Sequence, residues 1–434
     1  LCSELAMEDM SDIHVKTFHG LGYGILRSVF ENAGNKIVLD EDKYHKLIKD
    51  FIKPKVPSTV YIEVLAAMKS LVNYIRLSFV DPKDEKSVRM LIIQYDIDLD
   101  RKRPDLMQSV IRWLPEVMEI GEDDARNKGI IDYTDMVYLP VKWELKSANP
   151  YKLMFVDEAQ DLSKITRKLV YEQAMDPSGR AFFIGDSAQS IFGWAGSDIY
   201  SVRETIDIAK AKELPLDICY RCPTSHISLA QKIVPQIKAH AEAKTGVIVC
   251  ADEDILTSIV EVGDMVLCRV TAPLFQKAIE CLKAKIPARI RGRDLCENLI
   301  TVLHKIEKAA DSTGRFKYSD LATLIDEWAV EEVKYLRKRE ASDNAIQLIQ
   351  DKRETLHICH RDIDAKDLEG LISGIRSLIP SNKGEGRSVS AVEFSTIHRA
   401  KGLEANRIFI LEPTKLPLIW EGQLDWQYQQ EMNL

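Results

Sequence analysis

Residues 153–163, LMFVDEAQDLS, constrain this chain more than any other stretch. Four apolar residues, Leu153 to Val156, run directly into Asp157-Glu158, with Gln160-Asp161 just beyond. A short apolar run closed by charge predicts a strand buried in a parallel sheet. Ligands of such sheets bind beyond the carboxyl ends of the strands, where this acidic pair would stand. One carboxylate there suits Mg²⁺, and its neighbour suits proton acceptance from an attacking water. A surface turn after a core strand would give the same two letters, so the pair alone does not decide.

The pattern recurs within the next 30 residues. Ala181-Phe182-Phe183-Ile184 is a second apolar run, closed by Gly185-Asp186 and followed by SAQSIFGWAG. Between the runs, Ile165, Leu169, Val170 and Ala174 form a helical apolar stripe behind Ser163, a plausible N-cap. Strand, helix, strand predicts a βαβ unit with an acidic group at each strand end. Gln189 is placed to sense a phosphate or orient a water. Phe192 and Trp194, among glycines, read as exposed stacking platforms; packing under a loop is the alternative.

These residues resemble motifs II and III of the superfamily 1A DNA helicases of the UvrD/Rep/PcrA type. Four further segments match in order. VKTFHG, residues 15–20, resembles the TFH segment after motif Ia, and IDYTDM, residues 131–136, the D-[FY]-x-D-[LM] element before motif II. LDICYRCPT, residues 216–224, resembles motif IV, with Cys219 where Asn is usual, and STIHRAKGLE, residues 395–404, resembles motif V. Six ordered matches are far more specific than a lone motif.

The resemblance implies an α/β chain with two RecA-like parallel-sheet domains of the P-loop NTPase fold, each carrying a mostly helical insertion. Domain 1A would comprise residues 1–30 and 129–212, insertion 1B residues 31–128, domain 2A residues 213–292 and 389–434, and insertion 2B residues 293–388. Helical apolar spacing from Ile62 to Ile75 and from Met107 to Leu114 agrees with 1B. In 2A we expect strands at 265–270, 288–290 and 407–411, and a helix from Pro273. Residues 380–386, PSNKGEG, read as a flexible link.

The implied activity is ATP-dependent 3′→5′ movement on single-stranded DNA, acting in DNA repair, replication or recombination, with ATP and Mg²⁺ as cofactors. Asp157 would hold the metal and Glu158 would activate water. Gln189 would link the γ-phosphate to the DNA site, Tyr220 would stack on adenine, and Arg221 would act as an arginine finger. Gly402 and Glu404 would approach the nucleotide. Thr17, His19, Phe192, Trp194, Thr396 and His398 would line single-stranded DNA at single-strand/double-strand junctions, with Lys16, Arg399 and Lys401 adding charge.

Departures from the pattern bear on activity. No G-x-x-x-x-G-K-[ST] phosphate loop occurs in the 434 residues. The resemblance therefore leads us to expect a longer parent protein, a second arginine beyond Leu434, and little nucleotide binding by this chain alone. Ala195 stands where many relatives carry Arg. A helicase arm of a helicase–nuclease, or a DNA-binding scaffold without ATPase activity, are the alternatives.

Composition fits a globular chain with several folding units, at 45% hydrophobic and 29% charged residues, with no apolar run long enough for a membrane span. Net charge of −8 does not exclude a DNA binder, because phosphate contacts depend on a local groove and on stacking rings. The lysines at 46, 49, 53 and 55 read as a solvated face. The eight cysteines show no repeated pair spacing, which favours reduced thiols in a cytoplasmic protein over a zinc site.

Overall fold

A computed structural model describes residues 13–95, 97, 103–191, 201–312, 314–338, 343–378, 391–420 and 423–433. The chain divides into two compact units, residues 1–213 and 214–434. Both are mixtures of helices and parallel strands.

In the first unit, helix α1 (Phe18–Asn32) starts at Thr17, whose hydroxyl accepts the Gly20 amide at 3.0 Å. Its buried face carries Leu21, Ile25, Leu26 and Phe30. Strand β1 (Val38–Leu39) then leads into helices α2 (Lys43–Ile52), α3 (Tyr61–Ser78), α4 (Glu85–Gln94) and α5 (Pro104–Lys128). Strand β2 (Ile130–Ile131) returns to pair in parallel with β1, and helix α6 (Tyr133–Lys142) follows. Met68, Leu71, Val72 and Ile75 on α3 are buried with Met107, Val110, Ile111 and Leu114 on α5, as the spacing predicts. Ile62 is not part of that stripe: it is 64% exposed, and Val64 and Ala67 occupy the inward positions. Helix α1 lies so close to α6 that a Cβ at Gly22 would fall 1.9 Å from the Met136 carbonyl oxygen. Only glycine permits that approach.

The IDYTDM segment explains how these helices are tied together. Asp132 caps α6 by accepting the Asp135 amide at 2.7 Å, and Asp135 accepts the Asp132 amide in return. Both carboxylates also face buried cations. Arg76 Nη1 donates to both oxygens of Asp132 at 2.8 Å and to Asp135 at 3.0 Å, while Lys43 Nζ donates to Asp135 at 2.5 Å. The Arg76 guanidinium also lies 4.1 Å from the Tyr44 ring centre. Burial pushes the Asp132 carboxyl above its usual pKa against the opposing pull of Arg76.

The unit continues into the predicted βαβ element. Strand β3 (Tyr151–Val156), helix α7 (Lys164–Lys168), a wider π-helical turn over Leu169–Ala174 and strand β4 (Met175–Phe183) lie in sequence, and the two strands pair in parallel. Ser163 caps α7 by accepting the Thr166 amide. The strands are longer at their starts than the apolar runs indicate, and they are not buried on both faces. Val156 is buried against Leu162 and Val170, but Leu153 and Phe155 are exposed, and Phe155 stacks on the exposed Phe182 at 5.1 Å. The reason is that, among the described residues, β3 and β4 pair only with each other and are covered on one face. Helix α8 (Ser201–Ala209) closes the unit.

The second unit begins with a small parallel pair, β5 (Ile218–Cys219) and β6 (Lys238–Ala239), joined through helix α9 (Thr224–Ala230). Helix α10 (Leu256–Ile259), strand β7 (Met265–Cys268), helix α11 (Ala272–Lys283) and strand β8 (Ala288–Ile290) come next. Four helices follow: α12 (Arg293–Asp311), α13 (Leu321–Lys338), α14 (Asp343–Asp362) and α15 (Leu368–Ser377). Strand β9 (Val392–Thr396), helix α16 (Ile397–Ala400), strand β10 (Ile408–Ile410) and helix α17 (Asp425–Asn433) complete it. The strands form a parallel sheet in the order β10-β7-β9-β8. Sheet and helices share one core, in which Val266, Phe275 and Phe394 pack with Leu303, Leu356 and Ile375. Asp351 on α14 strengthens the join by accepting the Thr271 and Ala272 amides, each at 2.9 Å, at the positive end of α11. The expected link at 380–386 lies outside the described residues.

The buried charge cluster generates a stability prediction. Asp135→Asn removes the charge facing Lys43 and Arg76 while keeping the side-chain shape. Leaving buried cations short of a partner costs about 3–5 kcal/mol. Denaturant unfolding of the variant should show a loss of that order; a loss below about 1 kcal/mol would mean that water or Asp132 replaces the pairing.

Candidate functional site

The DEAQD segment leaves β3 through a strained residue. Glu158 lies at φ 51°, ψ 44°, the left-handed region that side chains other than glycine seldom enter. Neighbouring bonds hold it there. The Asp157 carboxylate accepts the Glu158 amide at 2.9 Å, and the Glu158 carbonyl accepts the Asp161 amide at 2.9 Å. Ala159 N–H is tied to the Ile184 carbonyl at 2.9 Å, which fixes the turn to the end of β4. From behind, buried Arg167 and Ser201 both donate to the Leu162 carbonyl, at 3.1 and 2.8 Å. The result places the Asp157 and Glu158 side chains in solvent at the carboxyl end of β3.

Gln160 connects this turn to the next. It is only 1% exposed. Its Nε2 donates to the Glu158 carboxylate, and its Oε1 accepts the Asp186 amide at 3.0 Å. A carboxylate only accepts and a backbone N–H only donates, so these two partners fix which way the amide points. The Asp186 carboxylate in turn accepts the Gln189 Nε2 at 2.9 Å and the Ala188 amide at 3.0 Å. Glu158, Gln160, Asp186 and Gln189 thus form one continuous hydrogen-bonded chain. Gly185 lies against it: a Cβ there would sit 2.5 Å from Gln160 Oε1. The sequence pattern singles out the two ends of this chain and misses Gln160 and Asp186 as its connectors. The signal was present, since both flank the acidic pair and the second apolar run.

The remaining predicted residues divide between the units. Thr17 is exposed, with its hydroxyl engaged as the α1 cap. His19, two residues on, meets the Tyr133 ring edge-on at 6.4 Å, and burial lowers its pKa below 6.5 against the opposing charge of Asp132. Phe192, Trp194 and Ala195 lie outside the described residues. Lys46 pairs with Asp40 at 2.8 Å, and Lys55 lies over the Phe51 ring, so the lysine run is partly occupied within the unit.

In the second unit, the turn after β5 presents Tyr220, 73% exposed, beside the His240 ring at 4.5 Å. Arg221 donates to Glu404 at 2.8 Å with both side chains exposed. The sequence-predicted motif IV and motif V residues are therefore brought together here. Gly402, at φ 78°, forms the turn that precedes Glu404. Thr396 ends β9 in register with Cys268. His398 is half-buried beside the Arg269–Glu431 ion pair, and burial together with the Arg269 charge lowers its pKa to about 4. At neutral pH it is an uncharged hydrogen-bonding ring, not a cation for phosphate.

These features define an acidic turn backed by a buried amide in one unit, and an exposed ring and guanidinium in the other. Residues 1–207 match the family described as the UvrD/REP helicase N-terminal domain. The chain is 23% identical over 241 residues to DNA helicase II of Haemophilus influenzae, covering 53% of this chain and 30% of that protein. It is 24% identical over 256 residues to ATP-dependent DNA helicase PcrA of Staphylococcus epidermidis, covering 55% and 31%. A shorter match, 29% over 110 residues, is to a component of the ATP-dependent helicase/nuclease of Listeria innocua, covering 23% and 9%. Residues 1–207, together with these relatives, support a UvrD-like superfamily 1 helicase. Its matches to the first and second of these relatives span about a third of their length.

The environment of His398 sets a pH dependence. Unfolding returns the ring to its ordinary pKa of about 6.5, so between pH 6.5 and about 4 the unfolded chain takes up a proton that the folded unit refuses. Stability therefore falls as pH drops through that window. Melting temperatures at pH 7.5, 6 and 5 should fall less steeply for His398→Asn than for the parent chain. Parallel slopes would show that the ring is solvated.

Proposed function

We propose that this chain is part of an ATP-driven DNA helicase that translocates 3′→5′ on single-stranded DNA, engages single-strand/double-strand junctions, and serves repair, replication or recombination in the cytoplasm. In this reading the two units are RecA-like domains with inserted helical subdomains, bounded as the sequence suggests. Asp157 is the metal ligand and Glu158 the general base. Tyr220 stacks on the adenine, Arg221 is the finger, and Gly402 and Glu404 border the nucleotide. Thr17, His19, Phe192, Trp194, Thr396 and His398 contact the strand. The observation that carries the reading is the hydrogen-bonded chain from Glu158 through Gln160 and Asp186 to Gln189. It ties a water-activating carboxylate to the residue expected to sense phosphate, which a passive DNA-binding scaffold does not need.

The donor set suits Mg²⁺ and ATP in part. Asp157 offers a hard, exposed carboxylate at a strand end, the ligand type Mg²⁺ takes. The phosphate-loop amides and lysine are not among these residues. Bound Mg²⁺ supplies neutralisation of the phosphate charge. Glu158 accepts the proton of the attacking water, held on line by the Gln160 amide. Arg221 exchanges its Glu404 partner for phosphate oxygens, so its grip depends on the nucleotide state. Stacking rings and hydrogen-bonding histidines hold the strand without regard to sequence. The match to a helicase/nuclease component favours, as a second reading, the helicase arm of such an enzyme.

In the full-length protein, Glu158→Gln should lower DNA-stimulated ATP hydrolysis by at least ~10²-fold with nucleotide and DNA binding retained. Gln160→Ala should also lower turnover, with KM for ATP nearly unchanged. Turnover within a few-fold of the parent for Glu158→Gln would remove this carboxylate from the chemistry.

A further inference from the structure

The turn that carries Tyr220 and Arg221 is bracketed by two thiols that neither the proposed chemistry nor the family match employs. Cys219 ends β5 and Cys222 lies three residues on, just before α9. Both are free and half-buried, so small reagents reach them. The Cys222 amide donates to the Cys219 sulfur at 3.4 Å, and the two thiols are near enough to influence each other's protonation. The turn therefore folds the backbone of one cysteine onto the sulfur of the other. We propose that Cys219 and Cys222 form a reversible thiol–disulfide modification site whose oxidant is a low-molecular-weight disulfide such as oxidised glutathione.

The electrostatics assign the order of events. Burial works against the Cys219 thiolate, but the Cys222 and Arg221 amides, the Cys222 thiol and the Arg221 charge together hold its pKa below the usual value. Burial and the neighbouring Cys219 raise that of Cys222. Cys219 is thus the attacking sulfur. Its thiolate displaces one glutathione thiolate and forms a mixed disulfide. Cys222 then loses its proton to solvent and attacks the Cys219 sulfur, releasing the second glutathione. Two protein thiols and one oxidised glutathione give one protein disulfide and two reduced glutathiones, and excess thiol reverses the reaction. Four other cysteines, at 268, 281, 296 and 359, are buried and serve as internal controls, while exposed Cys250 reports simple accessibility.

A closed 219–222 bridge would lock the backbone of Tyr220 and Arg221. The Arg221–Glu404 pair and the Tyr220–His240 contact both issue from that turn, so its freedom governs how they exchange partners. This consequence rests on the proposed nucleotide role of Tyr220 and Arg221; the modification itself does not.

The test treats the folded 434-residue chain with a glutathione redox series and reads peptide masses after alkylation. The expected result is loss of two hydrogens from the peptide spanning 219 and 222, reversed by dithiothreitol, with only a glutathione adduct at Cys250. Cys222→Ser should stop at a glutathione adduct on Cys219, and Cys219→Ser should slow reaction at 222. Thiols at 219 and 222 that remain reduced while Cys250 reacts, or adducts that never resolve into a bridge in the parent chain, would overturn the proposal. ATP hydrolysis by the full-length protein is read separately. Slower turnover of the bridged form supports the coupling to nucleotide. A bridge that forms with turnover unchanged upholds the modification site and counts against the roles given to Tyr220 and Arg221.

Discussion

One buried amide, that of Gln160, organises the acidic site. Two loops end the adjacent strands β3 and β4, and each carries a residue the proposed chemistry needs. Gln160 contacts one loop through its donor and the other through its acceptor, and its own burial excludes water that would compete for either. A hydrogen bond in such a setting contributes modestly to stability, about 0.5–1.5 kcal/mol. Its larger effect is geometric, because both partners must be in place for the amide to be satisfied. The strained backbone of Glu158 follows from the same constraint. The left-handed turn costs roughly 1–2 kcal/mol, and the Asp157, Asp161 and Ile184 hydrogen bonds offset it.

Beneath that site, the first unit is held by charge as well as by apolar packing. Asp132 and Asp135 resemble a family motif, which invites a functional reading. Their positions give a different one. They cap α6, and they meet Arg76 from α3 and Lys43 from α2 inside the core. Three helices are thereby fixed against each other by groups that cannot slide without exposing an unpaired charge. Such an arrangement specifies register more than it adds net stability. His19 and Thr17 lie at the start of α1, which packs directly on α6 through Gly22, so the expected strand contacts inherit their placement from this network.

Much of the order of elements was legible because strands and helices differ in period. The runs at 153–156 and 181–184, the stripe at 62–75 apart from its first residue, and the short strand Ala288–Ile290 were all readable in the sequence. Burial was less so. Phe155 and Phe182 are as apolar as any core residue, yet they stack on each other in solvent, since the number of strands in a sheet is not encoded in any one of them. Ile62 fails for a simpler reason: one residue of phase error on a helix turns a side chain by about 100°. The site was legible at its charged ends and silent in the middle. Gln160 and Asp186 act through partners 26 residues apart in the chain, and pairings of that kind arise only when two strand ends are brought together.

The second unit shows how a substitution within a motif changes what the motif offers. At the position where the motif it resembles has Asn, Cys219 keeps the turn compact by accepting the Cys222 amide on sulfur. Sulfur accepts weakly, so the turn gives up some of the rigidity an amide oxygen would confer. That loss is placed beside Arg221, the one side chain there that must change partners if the site is to sense a nucleotide. The exposed Arg221–Glu404 pair is worth little in water. A weak pair on a loosely held turn is easily traded for phosphate, whereas a buried one such as Arg269–Glu431 is not. The same contrast separates His398, fixed and uncharged beside that buried pair, from Tyr220, which stays open to solvent and free to accept a planar ring.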